Sequence, residues 1–317
     1  MKNSIDCVDA GSENCPCYLA VTDDCLICSR LQGKDCCDCN WKGVCIYNEF
    51  IQGNRRVNNP RKDFPAEIVK KKYYLDDLVA ITLQVGKGFA LKASRPGSYI
   101  FLRKEDSENF YETPLCVMAA DIENEQVTIA IKVISAKTKT IIEAKDRLMV
   151  RGVYRNGILG INEITDRNVK DKKILLVIKG IGLAPAMLTA NYLWLKNRVD
   201  LVIDRDKVSE DLIADFLGDG QGIIKYMNLA DDIDQNELRD LLIRENYDTV
   251  IILASDHFIK LVGKMVKVAI PQAKLAISNN FNICCGEGVC GACSVVNSKG
   301  ESFKMCKCQN VLLEDLI

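Results

Sequence analysis

The chain has a single histidine, His257, in 317 residues. That scarcity excludes a His-rich metal site and any carboxylate–histidine–zinc arrangement, and a Ser–His mechanism would have to run through His257. Because His257 follows the apolar run "TVIILAS" and starts a predicted helix, it reads as a partly exposed structural residue. Charge of either sign is not in excess: 42 Lys and Arg face 43 Asp and Glu, a net charge of −1. Nothing basic points to nucleic acid. No apolar run approaches the roughly 20 residues of a membrane span. The opening "MKNSIDCVDAGSENC" lacks a charged start followed by an apolar stretch, so no signal peptide is expected there and the cytoplasm is the expected compartment.

What is abundant is cysteine. Of 16 cysteines, nine lie between Cys7 and Cys45, six between Cys284 and Cys308, and Cys116 stands alone. Clustered thiols in a chain without secretory features point to metal or cluster binding rather than to disulfides.

The chain divides by pattern. Residues 1–62 show little periodicity and end in the polar run "QGNRRVNNPRKD"; such a segment needs cross-linking by a metal or cluster to fold. Over 63–168, short runs such as "DLVAITLQV", "SYIFLRK" and "QVTIAIKVI", parted by turn signals, predict a small antiparallel β-barrel, with one short helix near Lys139. Over 169–278, "KKILLVIK", "VDLVID", "GIIKYMN" and "DTVIILAS" alternate with helical stretches, the pattern of a doubly wound parallel α/β domain. Residues 279–317 hold the second cysteine group.

Cys285, Cys290, Cys293 and Cys306 are spaced C-x4-C-x2-C-x12-C, which matches the plant-type [2Fe–2S] ligand pattern. Gly286, Gly288 and Gly291 permit a loop whose amides turn inward to the sulfurs. Zinc or a purely structural thiol group are the alternatives. The first interval is wider than a zinc knuckle. In the α/β half, "GIGLAP" follows the first strand. Gly180 and Gly182 allow a tight turn that brings backbone N–H groups and a helix N-terminus toward a phosphate, and Pro185 suits the first helical turn. A turn that only packs strand against helix is the competing reading.

The order barrel, "GIGLAP", α/β domain and C-terminal C-x4-C-x2-C-x12-C resembles the electron-transfer subunit of type B dihydroorotate dehydrogenase and its sulfide-dehydrogenase-like relatives, within the ferredoxin–NADP reductase superfamily. The resemblance covers about residues 70–317. It implies FAD in the barrel, NAD(P)H on the α/β domain and a [2Fe–2S] cluster serving a partner subunit. It places the flavin motif at Thr113, Pro114, Leu115 and Cys116, where Thr113 stands for the family's arginine and Cys116 for its serine, so that Cys116 lies near the flavin or is a small core residue. Pro96 and Gly97, in "PGSYI", match a second barrel motif. Lys137, Thr138 and Thr140, in "SAKTKT", stand where a glycine loop would meet the pyrophosphate. On the nicotinamide side the pattern departs: Lys179 replaces the first glycine of Gly-Gly-x-Gly, and Ala254-Ser255-Asp256 replaces Cys-Gly-Pro. Asp204 or Arg205 is placed to meet an adenosine ribose, or is a solvated strand end.

The N-terminal cysteines lie outside that family pattern. Cys15, Cys17, Cys25, Cys28, Cys36, Cys37, Cys39 and Cys45 are the candidate ligands, for a second cluster of the [4Fe–4S] kind, for zinc, or as mixed free thiols; Trp41 and Tyr47 shield the site. The expected function is that of an iron–sulfur flavoprotein passing electrons between a nicotinamide nucleotide, FAD, a [2Fe–2S] centre and a partner oxidoreductase subunit or ferredoxin in a hetero-oligomer. The rivals are a redox adaptor without nicotinamide binding and a zinc-stabilised interaction protein.

Overall fold

The computed structural model describes residues 7–108, 111–161, 165, 170–206, 208–296, 300 and 302–309. They group into two compact units, one from Met1–Asp63 with Phe281–Asp315, the other from Phe64–Asn280 with Leu316–Ile317. The two cysteine-bearing segments, expected as separate modules, therefore group together. The expected boundary at residues 168 and 169, like the tail beyond Gln309, lies outside the described residues.

In the cysteine unit, helix α1 (Tyr18–Val21) follows Cys17 and helix α2 (Ile46–Gln52) follows Cys45. Its small core joins Ala20, Leu31, Ile46 and Phe50 to the buried Cys15 and Cys28.

In the other unit, β1 (Phe64–Leu75), β2 (Leu78–Gln84), β3 (Tyr99–Lys104), β4 (Thr113–Asp121), β5 (Gln126–Lys132) and β6 (Arg147–Tyr154) close an antiparallel barrel in the order β1-β2-β5-β4-β3-β6. Helix α3 (Lys87–Ala93) lies between β2 and β3, and α4 (Ala136–Glu143) between β5 and β6. Alternate residues such as Val79, Ile81 and Leu83 fill the barrel. Their neighbours Leu78 and Ala80 are buried in the second core, with α/β residues. Burial on both faces explains why these strands read as near-continuous apolar runs.

The α/β part holds β7 (Ile158–Leu159), β8 (Lys173–Ile178), α5 (Leu183–Trp194), β9 (Arg198–Asp204), α6 (Glu210–Phe216), β10 (Ile224–Met227), α7 (Asp232–Glu245), β11 (Thr249–Leu253), α8 (Asp256–Ala269) and β12 (Lys274–Ser278). The sheet order is β10-β9-β8-β11-β12-β7, parallel except for β7. Strand order reverses between β8 and β11, so the crevice for a ligand opens beyond their carboxyl ends. Every residue from Leu183 to Ala190 is buried, because α5 packs on the sheet and on β4 of the barrel. The cysteine unit ends in a hairpin of β13 (Ser294–Val296) and β14 (Ser302–Lys304).

Gly182 lets α5 start against β11: a Cβ there would lie 2.0 Å from the carbonyl oxygen of Leu253. Gly182→Ala must push the helix off the sheet, at a cost of about 2 kcal/mol. The expected outcome is a thermal midpoint roughly 5 °C lower by circular dichroism; an unchanged midpoint contradicts this packing.

Candidate functional site

The C-terminal thiols come together as the spacing implies. The chain turns through Gly286, Gly288 and Gly291 with φ of +71°, +80° and +73°. These left-handed values are cheap only for glycine. The turns aim amides inward. Glu287 N–H donates to Cys285 Sγ at 3.3 Å, Cys306 N–H to Cys293 Sγ at 3.4 Å, and Ala292 N–H to Cys290 Sγ. Among the thiols themselves, Cys285 neighbours Cys290 and Cys306, and Cys306 also neighbours Cys293. Hydrogen bonding from Cys306 holds the Cys285 and Cys293 thiols below the usual thiol range. Among the described residues no three Cys, His, Asp or Glu side chains form a cage for a single ion. The four thiols adjoin in a row instead, Cys290 beside Cys285, Cys285 beside Cys306 and Cys306 beside Cys293. Four neighbouring thiols are the ligand set that a two-iron cluster takes, so these residues fit a [2Fe–2S] centre. Cys284 is exposed, whereas Cys308 is buried and pairs its backbone with Cys7.

Beneath this loop is a buried charge quartet. The Lys307 ammonium is fully buried and donates to Asp9 at 2.6 Å and Glu287 at 3.0 Å. The Arg61 guanidinium reaches the same two carboxylates at 2.7 and 3.4 Å. Burial alone would raise the Asp9 carboxyl, but Lys307 and Arg61 outweigh it and hold it at about 2. Burial likewise opposes the charge on Lys307, and Asp9 and Glu287 outweigh it, so its affinity for the proton rises.

The barrel residues divide. Gly97 (φ +76°) packs its backbone on Gly157, whose N–H donates to Gly97 O at 2.8 Å, so Pro96 and Gly97 shape the entry to β3. Next to it, Ser98 Oγ is a buried polar atom without a partner among the described residues, and so is Thr113 Oγ1. Orphaned hydroxyls of this kind fit a polar ligand at the barrel. Pro114 and Leu115 pair with Phe101 and Ile100 on β3. Cys116 pairs with Tyr99, its sulfur lies beside Gly157, and burial pushes its thiol up to about 11. Sequence reasoning missed Arg151. From β6 its guanidinium grips the Glu112 carboxylate at 2.6 and 3.3 Å, donates to the Tyr154 hydroxyl and lies 4.5 Å from the Phe101 ring centre. Its neighbour across the pair is the residue before Thr113. At α4, Thr138 and Thr140 spend their hydroxyls locally. Thr138 and Ser135 make a reciprocal cap, and Thr140 Oγ1 donates to Lys137 O. What that helix end retains for an anion is its amides and dipole, with Lys137 in the first turn.

The crevice of the α/β sheet holds an ion pair. Lys179, at the end of β8, donates to Asp204 at 2.6 Å and lies 4.6 Å from the Phe258 ring centre. Asp204 is fully buried and also accepts from the N–H groups of Asp206 and Leu229, so it is no solvated strand end. The pairing follows from the register: Ile178 and Ile203 are partners, so the next residues on β8 and β9 adjoin. Gly180 has φ +62° with open space where a Cβ would be, beside a cleft lined by Leu75, Leu78, Ala130 and Leu183. Pro185 lies in the first turn of α5. Ala254 and Asp256 are tied down by Asn280, which donates to both, and His257 is exposed at the start of α8.

The N-terminal thiols separate by environment. Cys15, Cys17 and Cys28 are buried and Cys25 is half-buried, whereas Cys36, Cys37 and Cys45 are exposed and Cys39 partly so. Trp41 donates to Val44 O, and Tyr47 lies under Arg30.

No family model matches the chain, and no curated protein matches it by sequence. Solved structures do match. An NADH-dependent reduced ferredoxin–NADP oxidoreductase, reported for insights into flavin-based electron bifurcation, aligns over 79% of this chain and 91% of its own at 19% identity, with a TM-score of 0.58. The ferredoxin reductase of carbazole 1,9a-dioxygenase aligns over 71% of each chain at 14% identity and 0.53. Full-length CYP116B46 from Tepidiphilus thermophilus aligns over 79% of this chain and 41% of its own at 15% identity and 0.54. The shared feature is the fold, a barrel followed by an α/β sheet. Among the described residues no helix is long and apolar enough to cross a membrane.

Lys307→Met leaves Asp9 and Glu287 buried against Arg61 alone. Breaking a buried ion network in this way is expected to cost about 3 kcal/mol or more. Urea unfolding of the variant should show that loss; an unchanged transition contradicts the quartet as the tie of the cysteine unit.

Proposed function

We propose that the chain is an FAD-dependent electron-transfer oxidoreductase component. Cys285, Cys290, Cys293 and Cys306 hold a [2Fe–2S] centre, and the partner is an oxidoreductase subunit or a ferredoxin. The supporting observation is a barrel and α/β sheet of the kind seen in the matched reductase structures, in one chain with four neighbouring thiols, two of which accept from backbone amides. When bound, a flavin exchanges electrons in pairs or singly and a two-iron centre exchanges them singly.

The chain's own groups bind and orient. Ser98 and Thr113 present hydroxyls to the flavin, Arg151 supplies beside position 113 the cation that the motif there lacks, and the N-terminus of α4 faces phosphate. In the cysteine unit, burial of Cys293 and Cys306 excludes water, and the amides of Glu287, Ala292 and Cys306 stabilise thiolate charge. The narrower likeness to the type B dihydroorotate dehydrogenase subunit belongs to this reading. In its leading form a nicotinamide nucleotide supplies hydride, with the Gly180 turn and the start of α5 against its phosphates.

The Lys179–Asp204 pair favours a second reading, in which the α/β domain is a scaffold and electrons arrive from a protein. Lys179, at the β8 side of the switch point, spends its ammonium on Asp204 at the end of β9, where a dinucleotide ribose would otherwise be met.

Anaerobic mixing of the FAD-loaded protein with NADH and NADPH separates the two. Bleaching of the flavin absorbance by either nucleotide supports the leading form. Absence of bleaching by both, in a protein still reduced by a ferredoxin, supports the scaffold. A protein that binds no flavin contradicts both readings. Cys290→Ser should abolish the electron paramagnetic resonance signal of the two-iron centre while leaving flavin content unchanged.

A further inference from the structure

The cysteine unit contains a cavity that the function proposed above does not use. Cys7, Cys15, Cys17 and Cys25 line it, together with Leu19 and Ile46. The four are spaced C-x7-C-x-C-x7-C. Cys15 and Cys17 are buried and Cys7 and Cys25 half-buried, and the Cys28 N–H donates to Cys25 Sγ at 3.4 Å. Amide hydrogen bonds to sulfur are what hold and tune a thiolate bound to iron, and the C-terminal loop makes the same kind of bond at Cys285 and Cys293.

We propose that Cys7, Cys15, Cys17 and Cys25 hold a second iron–sulfur cluster, of the four-iron kind, inside the cysteine unit. The thiols stand around a cavity and do not meet at a point, which suits a polynuclear cluster better than a lone tetrahedral ion. The choice differs from the one that local spacing suggests. Cys28, though in a C-x2-C pair with Cys25, does not line the cavity, while Cys36, Cys37 and Cys45 are exposed. Cys7 enters through a contact that local spacing does not reveal: it pairs with Cys308, and Val8 N–H donates to Lys307 O at 2.9 Å.

The second site adjoins the first. Leu19, two residues after Cys17, packs on Gly288 of the C-terminal loop, where a Cβ would lie 3.0 Å from its Cδ2. Lys307, between Cys306 and Cys308, donates both to Asp9 beside Cys7 and to Glu287 beside Cys285. Two one-electron centres would thus be held by one rigid set of buried charges. The inference rests on the [2Fe–2S] reading for this neighbourhood only; the cavity and the four cysteines that line it stand apart from it.

The test is iron and acid-labile sulfide content, Mössbauer spectroscopy and electron paramagnetic resonance of the full chain, purified without oxygen. The wild type is expected to carry about six iron and six sulfide, with a four-iron component beside a two-iron one. Cys7→Ser and Cys17→Ser should each lose about four iron and keep the two-iron signal, Cys290→Ser should do the reverse, and Cys36→Ser should change neither. Loss of the two-iron signal alone would count against the C-terminal reading and not against this one. Wild-type iron that is wholly of the two-iron kind, zinc bound at the N-terminal thiols, or equal losses in Cys36→Ser and Cys7→Ser would overturn the proposal. Because the wild-type spectrum decides the question by itself, a variant that fails to fold does not rescue the idea.

Discussion

A lysine ammonium with no access to water, held by two carboxylates, is the constraint on which the cysteine unit depends. Burying Lys307 is tolerable only because Asp9 and Glu287 both bind it and Arg61 balances them. These four residues come from the N-terminal segment, the end of the polar run, the glycine loop and the C-terminal hairpin. None of those segments has enough apolar surface to fold by itself. Joined by the quartet, they set two groups of thiols side by side, each beneath amides that point at sulfur. A hydrophobic contact could join the segments too, but it would not place two carboxylates and an ammonium beside the sulfurs.

The barrel and α/β unit shows a different economy. Several polar side chains near the ends of its strands are already spent. Arg151 gives its guanidinium to Glu112 from the adjacent strand pair. Thr138 and Thr140 spend their hydroxyls within α4. Lys179 neutralises a buried aspartate. The barrel end keeps two buried hydroxyls, those of Ser98 and Thr113, without a partner among the described residues, whereas the α/β crevice satisfies its own charge. That contrast is the physical ground for weighing a protein donor against a nicotinamide one.

Much of this was legible in the sequence, for reasons that can be stated. Strands β8, β9 and β11 are buried on both faces and announce themselves as apolar runs. Strand β1 did not, because its face pattern is masked by lysines; Lys71 bends over to donate to Ile142 O and Ala144 O and caps the end of α4. Strand β7 escaped because two residues are too short for periodicity to show, and β12 because only Ala276 and Ile277 of its five residues are buried. The C-x4-C-x2-C loop was legible because its thiols and glycines are local. Choosing Cys7 over Cys28 was not, since it depends on a pairing between residues 7 and 308 that no local pattern encodes.

The account stands or falls on whether flavin and iron–sulfur chemistry share this chain. The direct measurement is to purify it without oxygen, release and identify any flavin, and follow its electron paramagnetic resonance during stepwise chemical reduction. An equivalent of FAD per chain, with a two-iron signal appearing on reduction, is the predicted result. Zinc without acid-labile sulfide, in a protein that carries no flavin, would contradict it.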